Sequence, residues 1–597
     1  MPFGAQLLSP DKVRFRLWAP KARELRLLVA GRDGEARRLP MTADAQGWRE
    51  AVVDGAGAGT RYAFLLEDGL QVPDPATRFQ PDDVHGLSEV IDPAAYDWQD
   101  AAWRGRPWRE AVLYEVHIGA FTPGGTFAAA AEKLDHLAAL GVTAIELMPV
   151  ADFPGRRNWG YDGALPFAPD SAYGRPEELK KLVDQAHARG LMVFLDVVYN
   201  HFGPDGNYLG LYASFFTERH ATPWGAAIDF DGPASGAVRE FFVQNALFWL
   251  EEYHMDGLRL DAVDTIADDS PKHILYEVAE RVRAQFAGGR HVHLVLENDR
   301  NEARYLGDSR YDAQWNDDFH HALHSVVTGE KNGYYADYAG DAAAHLGRTL
   351  TSGFAYQGEP SPFRGGRTRG EPSGRLPPTA FVGFIQNHDQ VGNRAFGERI
   401  HALAAADALH AAIAILLLAP SPPLLFMGEE WRCDRPFLYF CDFADALADA
   451  VREGRRREFA RLDAFRDEAA RARIPDPNDI ETFRASVLDW SQLESPDGRA
   501  WCGLYRRLLA LRRREIVPRL DGVAGNSGTF ERFGERGLHC RWTLAGGDAL
   551  SLLANLGAAP CQAPAGAGRG RTLYATHARC GEPDGRAWCG LYRRLLA

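Results

Sequence analysis

The segment "DGLRLDAVD" (256–264) joins a short apolar strand to a cluster of charged side chains. Arg259 and Asp261 are two residues apart, so both side chains point to the same face of a strand. Charged groups at the end of a buried strand cost free energy unless they are paired or take part in chemistry. The segment therefore indicates a buried strand that ends at a functional site.

Seven further apolar segments of this kind flank it. They are "VLYEVHI" (112–118), "VTAIELM" (142–148), "LMVFLDV" (191–197), "HLVLE" (293–297), "AQW" (313–315), "FVGFIQ" (381–386) and "LLFMG" (424–428). Several lead into amphipathic helical stretches, two of which end at Gly141 and Gly190, residues suited to a left-handed cap. Eight short buried strands that alternate with helices predict a (β/α)8 barrel. An open doubly wound sheet would need a phosphate-binding glycine motif after its first strand, and the sequence has none.

The 597-residue chain is long enough for several domains. Residues 1–98 alternate apolar and polar positions between turns, which predicts an N-terminal β-sandwich. Residues 99–514 contain the barrel strands, and the long stretch 198–255 predicts an irregular sub-domain that projects over the barrel mouth. Residues 515–597 predict a C-terminal β-domain, with 532–557 as hairpins of a second sandwich. The predicted fold class is multidomain α/β, with a central TIM barrel between two β-domains.

One internal repeat does not fit this plan. "PDGRAWCGLYRRLLA" occurs at 496–510 and again, without change, at 583–597. The first copy continues as an amphipathic helix, whereas the second stands where a closing strand is expected. We interpret the second copy as a sequencing or reading-frame artefact rather than as a functional repeat.

Composition excludes several classes of function. Lys and Arg number 67 against 81 Asp and Glu, a net charge of −14, which argues against nucleic acid or an anionic membrane as partner. The sequence has neither an apolar run of membrane-spanning length nor a signal-peptide pattern, so we expect a cytoplasmic protein. The 7 cysteines have no paired metal-ligand spacing and suit reduced thiols. Because no HExxH spacing is present either, we predict no metal and no cofactor.

Polar side chains follow four of the predicted strands. Parallel barrel strands bring their carboxyl ends to one mouth, so these side chains should converge there. They are Asp196, Asn200, His201, Arg259, Asp261, Glu297, Asn387, His388 and Asp389. Any one acid could be a solvated loop residue or a helix cap, but together they indicate one site. Paired carboxylates across a polar mouth suit glycosidic cleavage.

Aromatic residues near this mouth could stack on sugar rings. Trp159 and Tyr161 lie in "NWGYD" (158–162), and a further tryptophan lies in "TPWG" (222–225). The alternative is that these residues are packing anchors in long loops.

Four of these segments resemble a known family. "DVVYNH", "DGLRLDAVD", "LVLEND" and "FIQNHD" are similar, in order and spacing, to the four signature regions of the α-amylase superfamily of retaining α-glucan-active enzymes. Longer segments, among them "NWGYDGALPFAPDSAYG", "AQWNDDFHHALH" and "QNHDQVGNRAFGER", resemble the members that cleave maltooligosyl trehalose into trehalose and a maltooligosaccharide. The resemblance implies those three sugars as ligands. It also implies a sandwich like that of glycogen branching and debranching enzymes, and a C-terminal β-domain.

The resemblance also implies roles for individual residues. It makes Asp261 the nucleophile, Glu297 the general acid/base and Asp389 the third acid, which holds the sugar hydroxyls. The implied substrate-binding residues are Tyr161 as a stacking platform, His201, Arg259, His388, Asn387, Trp159 and Asp196, the last as a brace for Arg259.

The residue types give physical reasons for these roles. Arg259 is expected to lower the pKa of Asp261, and apolar walls with neighbouring negative charges should raise the pKa of Glu297. A double displacement with retention follows if the two carboxyls lie about 5 to 5.5 Å apart.

Two departures and two rival functions stay open at this point. Asp264 stands where superfamily members often carry His, and Asp229 where we expect Asn, so +1-site or calcium roles there are open. A glycogen branching enzyme would share the domain plan and the acids but transfer the glycosyl unit to a 6-hydroxyl. The stretch "FRGGRTRGEPSGRLPP" (363–378) favours the trehalose-releasing enzyme, unless it is a mobile surface loop. A non-catalytic glycan-binding protein would have lost one of the three acids, and all three are present.

Overall fold

The structure, a computed structural model, describes residues 1–597 apart from 31–35, 308, 461–462, 558, 566, 568–569, 577–587 and 596–597. For residues 463 and 588–595 only the backbone is described. Within the described residues the chain forms an N-terminal β-domain, a central barrel and a C-terminal sheet.

The eight predicted strands form a closed parallel barrel. In chain order they are Leu113–Val116, Ala144–Leu147, Met192–Val197, Gly257–Leu260, His293–Leu296, Ala313–Trp315, Phe381–Phe384 and Pro423–Phe426. The first strand pairs with the eighth, with Leu113 opposite Leu424. Every residue of these strands is buried, which explains why the segments are apolar almost throughout. The predicted TIM barrel is confirmed.

Helices surround the barrel. The principal ones are Phe127–Ala131, Leu134–Leu140, Pro176–Ala188, Ser235–Glu252, Ile274–Gln285, Asp317–Thr328, Ala342–Ser352, Ala406–Leu418, Asp445–Phe459, Ile480–Ser486 and Pro496–Glu515. Shorter helices are Ile118–Phe121, Leu209–Tyr212, His388–Gly392, Ile400–Leu403 and Glu468–Ala472. Gly141 caps its helix with a φ of 102°, and Gly190 follows its helix with a φ of 73°, as the sequence predicts.

The prediction of an irregular stretch over 198–255 is wrong in its second half. Residues Ser235–Glu252 form an 18-residue helix between the third and fourth barrel strands. The N-terminal domain covers the outer side of this helix, where Phe3 meets Phe241 with ring centroids 5.3 Å apart. A helix buried on opposite sides lacks the single apolar face that marks a helix in sequence. The shorter projecting part consists of Leu209–Tyr212 and the hairpin Phe216–Thr222 with Gly225–Ile228.

The N-terminal domain has two antiparallel sheets, as predicted. One contains Gly4–Ser9, Lys12–Trp18, Thr42–Ala43 and Trp48–Asp54, and the other Arg26–Ala30, Ala36–Pro40, Arg61–Leu65, Gln71–Val72 and Ser88–Glu89. Their inner faces bury Phe15, Leu27 and Phe64 completely. The N-terminal domain packs against the barrel helix Ser235–Glu252.

The C-terminal domain is one sheet and not the predicted second sandwich. Its strands are Gly528–Phe533, Gly537–Thr543, Asp548–Asn555, Trp588–Leu595 and Arg571–Ala575, in spatial order. The barrel helix Ala342–Ser352 supplies the second layer, since Trp542 Nε1 donates to the Leu350 carbonyl at 2.9 Å. The strand Gly537–Thr543 therefore buries one face against this helix.

The repeated segment takes two conformations. The first copy lies in the helix Pro496–Glu515, whereas residues 588–595 of the second form a strand between Asp548–Asn555 and Arg571–Ala575. The rest of the second copy lies outside the described residues. A strand therefore lies where a closing strand was expected, and tertiary pairing overrides the local helix preference of the repeated segment there.

Two further expectations can be compared with the described part of the chain. Cys433, Cys441, Cys502 and Cys561 are free thiols, and Cys580 and Cys589 lie outside the described side chains. Where the structure describes the chain, we find no helix that combines the length and the apolar character needed to cross a lipid bilayer.

Candidate active site

Arg259 is the centre of the cluster at the carboxyl ends of the barrel strands. Its side chain is fully buried. Nη1 donates to Asp196 Oδ2 at 2.6 Å and to Asp261 Oδ1 at 2.9 Å, and Nη2 donates to Glu297 Oε2 at 2.5 Å. The guanidinium also lies over the face of Trp315, 4.2 Å from the ring centroid. One cation therefore holds three acids from three neighbouring strands, and the predicted contact between Asp196 and Arg259 is present.

The backbone turns sharply directly after Asp261. Ala262 has φ 38° and ψ 46°, in the left-handed region that costs a non-glycine residue about 1 to 3 kcal/mol. This conformation directs the Ala262 N–H to Glu297 Oε2 at 3.0 Å. On the other side, Asn200 Nδ2 donates to Asp261 Oδ2 at 3.1 Å. The strain is thus located where both candidate reacting carboxyls are oriented.

The two carboxyls have different preferred protonation states. Burial raises the pKa of Asp261, and Arg259 lowers it, as expected, without cancelling the increase. Burial also raises the pKa of Glu297, and the charge of Asp261 adds to the increase. The interaction between the two carboxyls lowers the pKa of Asp261 and raises that of Glu297, so a proton in the pair favours Glu297.

Asp389, His388 and Tyr161 form the opposite side of the mouth. His388 Nε2 lies 2.8 Å from Tyr161 Oη, and the two rings stack with centroids 5.1 Å apart. The Tyr161 hydroxyl donates to Asp196 Oδ2 at 2.7 Å. Burial raises the pKa of Asp389, whereas the charge of His388 lowers it. Gly160 makes the Tyr161 position possible, because a Cβ there would lie 2.1 Å from the Pro149 carbonyl oxygen.

His201 lies beneath an exposed tryptophan. Its Nδ1 is 2.9 Å from Asn200 Oδ1, and its Nε2 is 3.0 Å from the Tyr161 carbonyl oxygen. Trp224, in the turn of the projecting hairpin, stacks on the imidazole with centroids 4.4 Å apart and planes within 9°. Trp224 is 50% exposed, so its other face is open to a ligand. This is the tryptophan of "TPWG".

Trp159 and Asn387 are buried behind the mouth. Trp159 Nε1 donates to the Leu438 carbonyl at 2.9 Å, and its ring packs edge-to-face on His388. Asn387 caps the helix His388–Gly392, where its Oδ1 accepts from the Gln390 N–H at 2.9 Å. The structure therefore gives these two predicted substrate-binding residues supporting contacts with the site.

A cavity of about 160 Å³ adjoins Glu297 and Asp389, and the sequence did not identify its walls. The lining includes Asp317, His321, Tyr334, Phe363 and Arg364. The stretch 363–378 forms one wall and is tied to the barrel: the Phe363 N–H donates to Asp337 at 2.7 Å, and Arg369 donates to Asp318 at 2.5 Å. Acid pairs such as "NDD" after the sixth strand were the signal that could have indicated this wall.

The two departures from the family pattern have local partners. Asp264 lines a neighbouring cavity, where burial and the charges of Asp299 and Glu297 raise its pKa to about 7. Asp229 accepts from Arg219 Nη2 at 2.7 Å. Close by, His220, Asp231 and Asp269 have donor atoms at metal-ligand spacing, but Asp231 already accepts from Arg219 and lies 2.9 Å from His220 Nε2. These hydrogen bonds and ion pairs explain why the three side chains lie together.

Models of three known families match the chain. Residues 76–214 match the alpha amylase catalytic domain, residues 2–75 match carbohydrate-binding module 48 (isoamylase N-terminal domain), and residues 525–591 match a domain of unknown function, DUF3459. These matches agree with the central barrel and the two flanking β-domains.

Several curated relatives share one name. A malto-oligosyltrehalose trehalohydrolase from Deinococcus radiodurans is 46% identical over 506 residues, which cover 84% of this chain and 81% of the relative. One from Mycobacterium tuberculosis is 39% identical and covers 92% of this chain and 93% of the relative. A 1,4-alpha-glucan branching enzyme from Pseudoalteromonas atlantica is 34% identical but covers only 44% of this chain and 40% of the relative.

Solved structures share the whole fold. A protein from Salmonella typhimurium described as an alpha amylase superposes with a TM-score of 0.92 at 46% identity, over 99% of each chain. A pullulanase from Anoxybacillus superposes with a TM-score of 0.72 at 17% identity, over 99% of this chain and 87% of the pullulanase, which shows a common fold.

Proposed function

The chain belongs to the malto-oligosyltrehalose trehalohydrolases of the alpha-amylase family, and on that premise we propose that it hydrolyses the α-1,4 bond next to the terminal trehalose unit of maltooligosyl trehalose. The products are trehalose and a maltooligosaccharide. The observation that carries the proposal is the set of three carboxyls, Asp261, Glu297 and Asp389, around Arg259 at one barrel mouth.

The first chemical step uses the unequal protonation of the acid pair. Glu297 donates its proton to the glycosidic oxygen while ionised Asp261 attacks the anomeric carbon. The bond to the leaving trehalose breaks as a covalent glycosyl ester forms on Asp261. Arg259 and Asn200 fix the attacking carboxylate, which supports this assignment.

The second step regenerates the enzyme. Deprotonated Glu297 removes a proton from water, which attacks the anomeric carbon and releases the Asp261 carboxylate. Two displacements retain the anomeric configuration. Asp389 and His388 are proposed to hold the hydroxyls of the cleaved glucose, and Tyr161 to stack on its ring.

The cavity beside Glu297 is proposed to receive the trehalose unit. It lies on the side of Glu297 and Asp389 formed by Asp317 and the 363–378 stretch, and it combines aromatic with charged groups suited to sugar hydroxyls. Trp224, on the projecting hairpin, is proposed to stack on the maltooligosaccharide.

We also propose the domain boundaries and the cellular location. The domain boundaries are 1–98, 99–514 and 515–597, supported by the change from sheet to barrel and back to sheet. The location is the cytoplasm, supported by the free thiols of Cys433, Cys441, Cys502 and Cys561. Limited proteolysis checks the boundaries, and fractionation of the source cells checks the location.

The deciding experiment compares two substrates. Maltooligosyl trehalose and the linear maltooligosaccharide of equal length are incubated separately with the chain, and products are resolved by chromatography and by anomeric proton NMR. Free trehalose from the first substrate, slow action on the second and a retained α-anomer support the proposal. New α-1,6 branch points would identify a branching enzyme, inverted anomers would exclude the covalent step, and no turnover would favour a glycan-binding protein.

A further inference from the structure

Glu115 is a buried acid that the proposed reaction leaves unused. It lies in the first barrel strand, Leu113–Val116, and is 1% exposed. Its Oε1 is 2.5 Å from His388 Nδ1, and its Oε2 accepts the backbone N–H of His388 at 2.9 Å. Both oxygens of this carboxyl are therefore directed at a single residue of the seventh strand end.

The contacts from Asp196 through Tyr161 and His388 to Glu115 limit where the hydrogen atoms can lie. The Tyr161 hydroxyl has one hydrogen, which it donates to Asp196 Oδ2 at 2.7 Å. The 2.8 Å contact between His388 Nε2 and Tyr161 Oη must then use a hydrogen on Nε2. If the 2.5 Å contact to Glu115 uses a hydrogen on Nδ1, the imidazole carries both protons and is a cation.

The surroundings of His388 favour that cation. The ring is 2% exposed, and Nε2 lies 3.7 Å from Asp389 Oδ1. The titratable and charged groups that face it are Glu115, Glu146, His117, Tyr161, Asp196, Arg259 and Asp389. Burial lowers the pKa of His388, but the charge and hydrogen bond of Glu115 together with the charge of Asp389 raise it to about 9.

We propose that Glu115 is a positioning residue that holds His388 as an imidazolium, fixes the Tyr161 ring through it, and keeps Asp389 ionised during glycosidic cleavage. The inference rests on the proposed function for its kinetic consequence only. The charge state of His388 is a property of the free protein and can be measured without substrate.

A matched control lies on the neighbouring strand. Glu146 is paired with Glu115 in the parallel ladder and is also 1% exposed. Among the described residues neither carboxyl oxygen of Glu146 has a hydrogen-bond partner. Burial and the charge of Glu115 raise its pKa well above the ordinary value, which favours its neutral form. Replacing it with Gln changes neither the charge nor a contact to His388.

The experiment compares Glu115→Gln with Glu146→Gln in the full chain. A glutamine at 115 can accept one of the two N–H groups of His388 through its amide oxygen, but its NH2 group then faces the other N–H. We expect kcat for maltooligosyl trehalose at pH 7 to fall about tenfold or more for Glu115→Gln, with KM within about threefold. The ratio of variant to wild-type kcat should rise as the pH is lowered from 8 to 5, because acid restores the imidazolium. Glu146→Gln should keep the wild-type ratio at every pH.

A second measurement does not depend on turnover. Nitrogen-15 NMR of the wild-type chain labelled at histidine reports the charge of each ring, and a His388→Gln spectrum assigns the signal. Two protonated ring nitrogens at pH 7.5 are expected. A neutral imidazole at that pH, or a Glu115→Gln variant with an unchanged kcat, would overturn the proposal. Failure of the wild-type chain to release trehalose would instead contradict the proposed function.

Discussion

At the residue scale, Arg259 serves three acids and not Asp261 alone. Its two terminal nitrogens contact Asp196, Asp261 and Glu297, so one buried cation is shared among them. Pairing with Arg259 lowers the pKa of each acid, whereas burial raises it. The distinct roles of Asp261 and Glu297 therefore depend on the interaction between the two carboxyls as well as on the arginine.

Removal of the attacking oxygen should abolish turnover. Asp261→Asn keeps the size of the side chain but loses the nucleophilic carboxylate, and we expect kcat to fall by about a thousandfold or more. Steady-state release of trehalose measures the loss, and thermal unfolding establishes that the variant is folded. A folded Asp261→Asn variant whose kcat stayed within about tenfold of wild type would contradict the assignment of the nucleophile.

The pH dependence should follow the proton on Glu297. Burial and the charge of Asp261 raise its pKa, so the acid form persists to higher pH than in a free glutamate. We expect kcat/KM to fall as the pH rises through that pKa, because the leaving oxygen is no longer protonated. Glu297→Gln has no proton to lose, so its low residual activity should lack this decline. If kcat/KM declined at the same pH in both proteins, the decline would belong to another titrating group.

At the element scale, the sequence predicted those elements whose burial leaves a simple pattern. The eight barrel strands are buried on both faces, so their apolar runs are continuous, and strands such as Met192–Val197 are recognisable without tertiary knowledge. The helix Ser235–Glu252 was missed because two neighbouring layers bury it. The single C-terminal sheet was missed because its second layer is a barrel helix distant in sequence.

For the site too, the sequence predicted those residues whose position follows from a simple pattern. Acids at strand ends, such as Asp261 and Glu297, follow from the convergence of parallel strands. Glu115 lies within a strand, and its partner His388 is 273 residues away, so only the fold brings them together. Asn387 and Trp159 belong to motifs whose other members line the mouth, and no pattern in the sequence separates a lining residue from a supporting one.

The projecting hairpin should contribute affinity without chemistry. Trp224 is half exposed and stacks on His201 with one face, so the other face can stack on a sugar. We expect Trp224→Ala to raise KM about tenfold, with kcat changed by less than threefold, because stacking energy is about 1 to 2 kcal/mol here and remote from the acids. Trp224→Phe keeps a flat face and should recover most of the affinity. An equal KM for the Ala and wild-type proteins would remove Trp224 from the binding surface.

At the scale of the whole molecule, the N-terminal domain and the barrel share a continuous apolar core. Phe3 and Trp18 meet Phe241 and Phe215 across the boundary, with ring centroids 5.3 and 5.7 Å apart. The backbone also crosses it, since the Lys21 N–H donates to the Tyr212 carbonyl at 3.0 Å. Tyr212 belongs to the short helix of the projecting part, so the N-terminal domain supports a segment that carries Trp224. Loss of this domain would disturb the cleft as well as stability.

The ion pair at this boundary should be important for stability. Arg78 donates through Nε to both carboxylate oxygens of Glu252 at 3.0 Å, and each side chain is 13% exposed. Arg78→Ala leaves the largely buried Glu252 with its longer pair to Lys180 Nζ at 3.8 Å, so we expect the free energy of unfolding to fall by about 2 to 4 kcal/mol. Lys12→Ala is the matched control, because its pair with Asp54 is exposed and contributes about 0 to 1 kcal/mol. Urea unfolding followed by tryptophan fluorescence compares the two variants. A single transition that shifts for Arg78→Ala would mean that both domains unfold together, whereas equal midpoints for both variants would show that the boundary ion pair does not couple them.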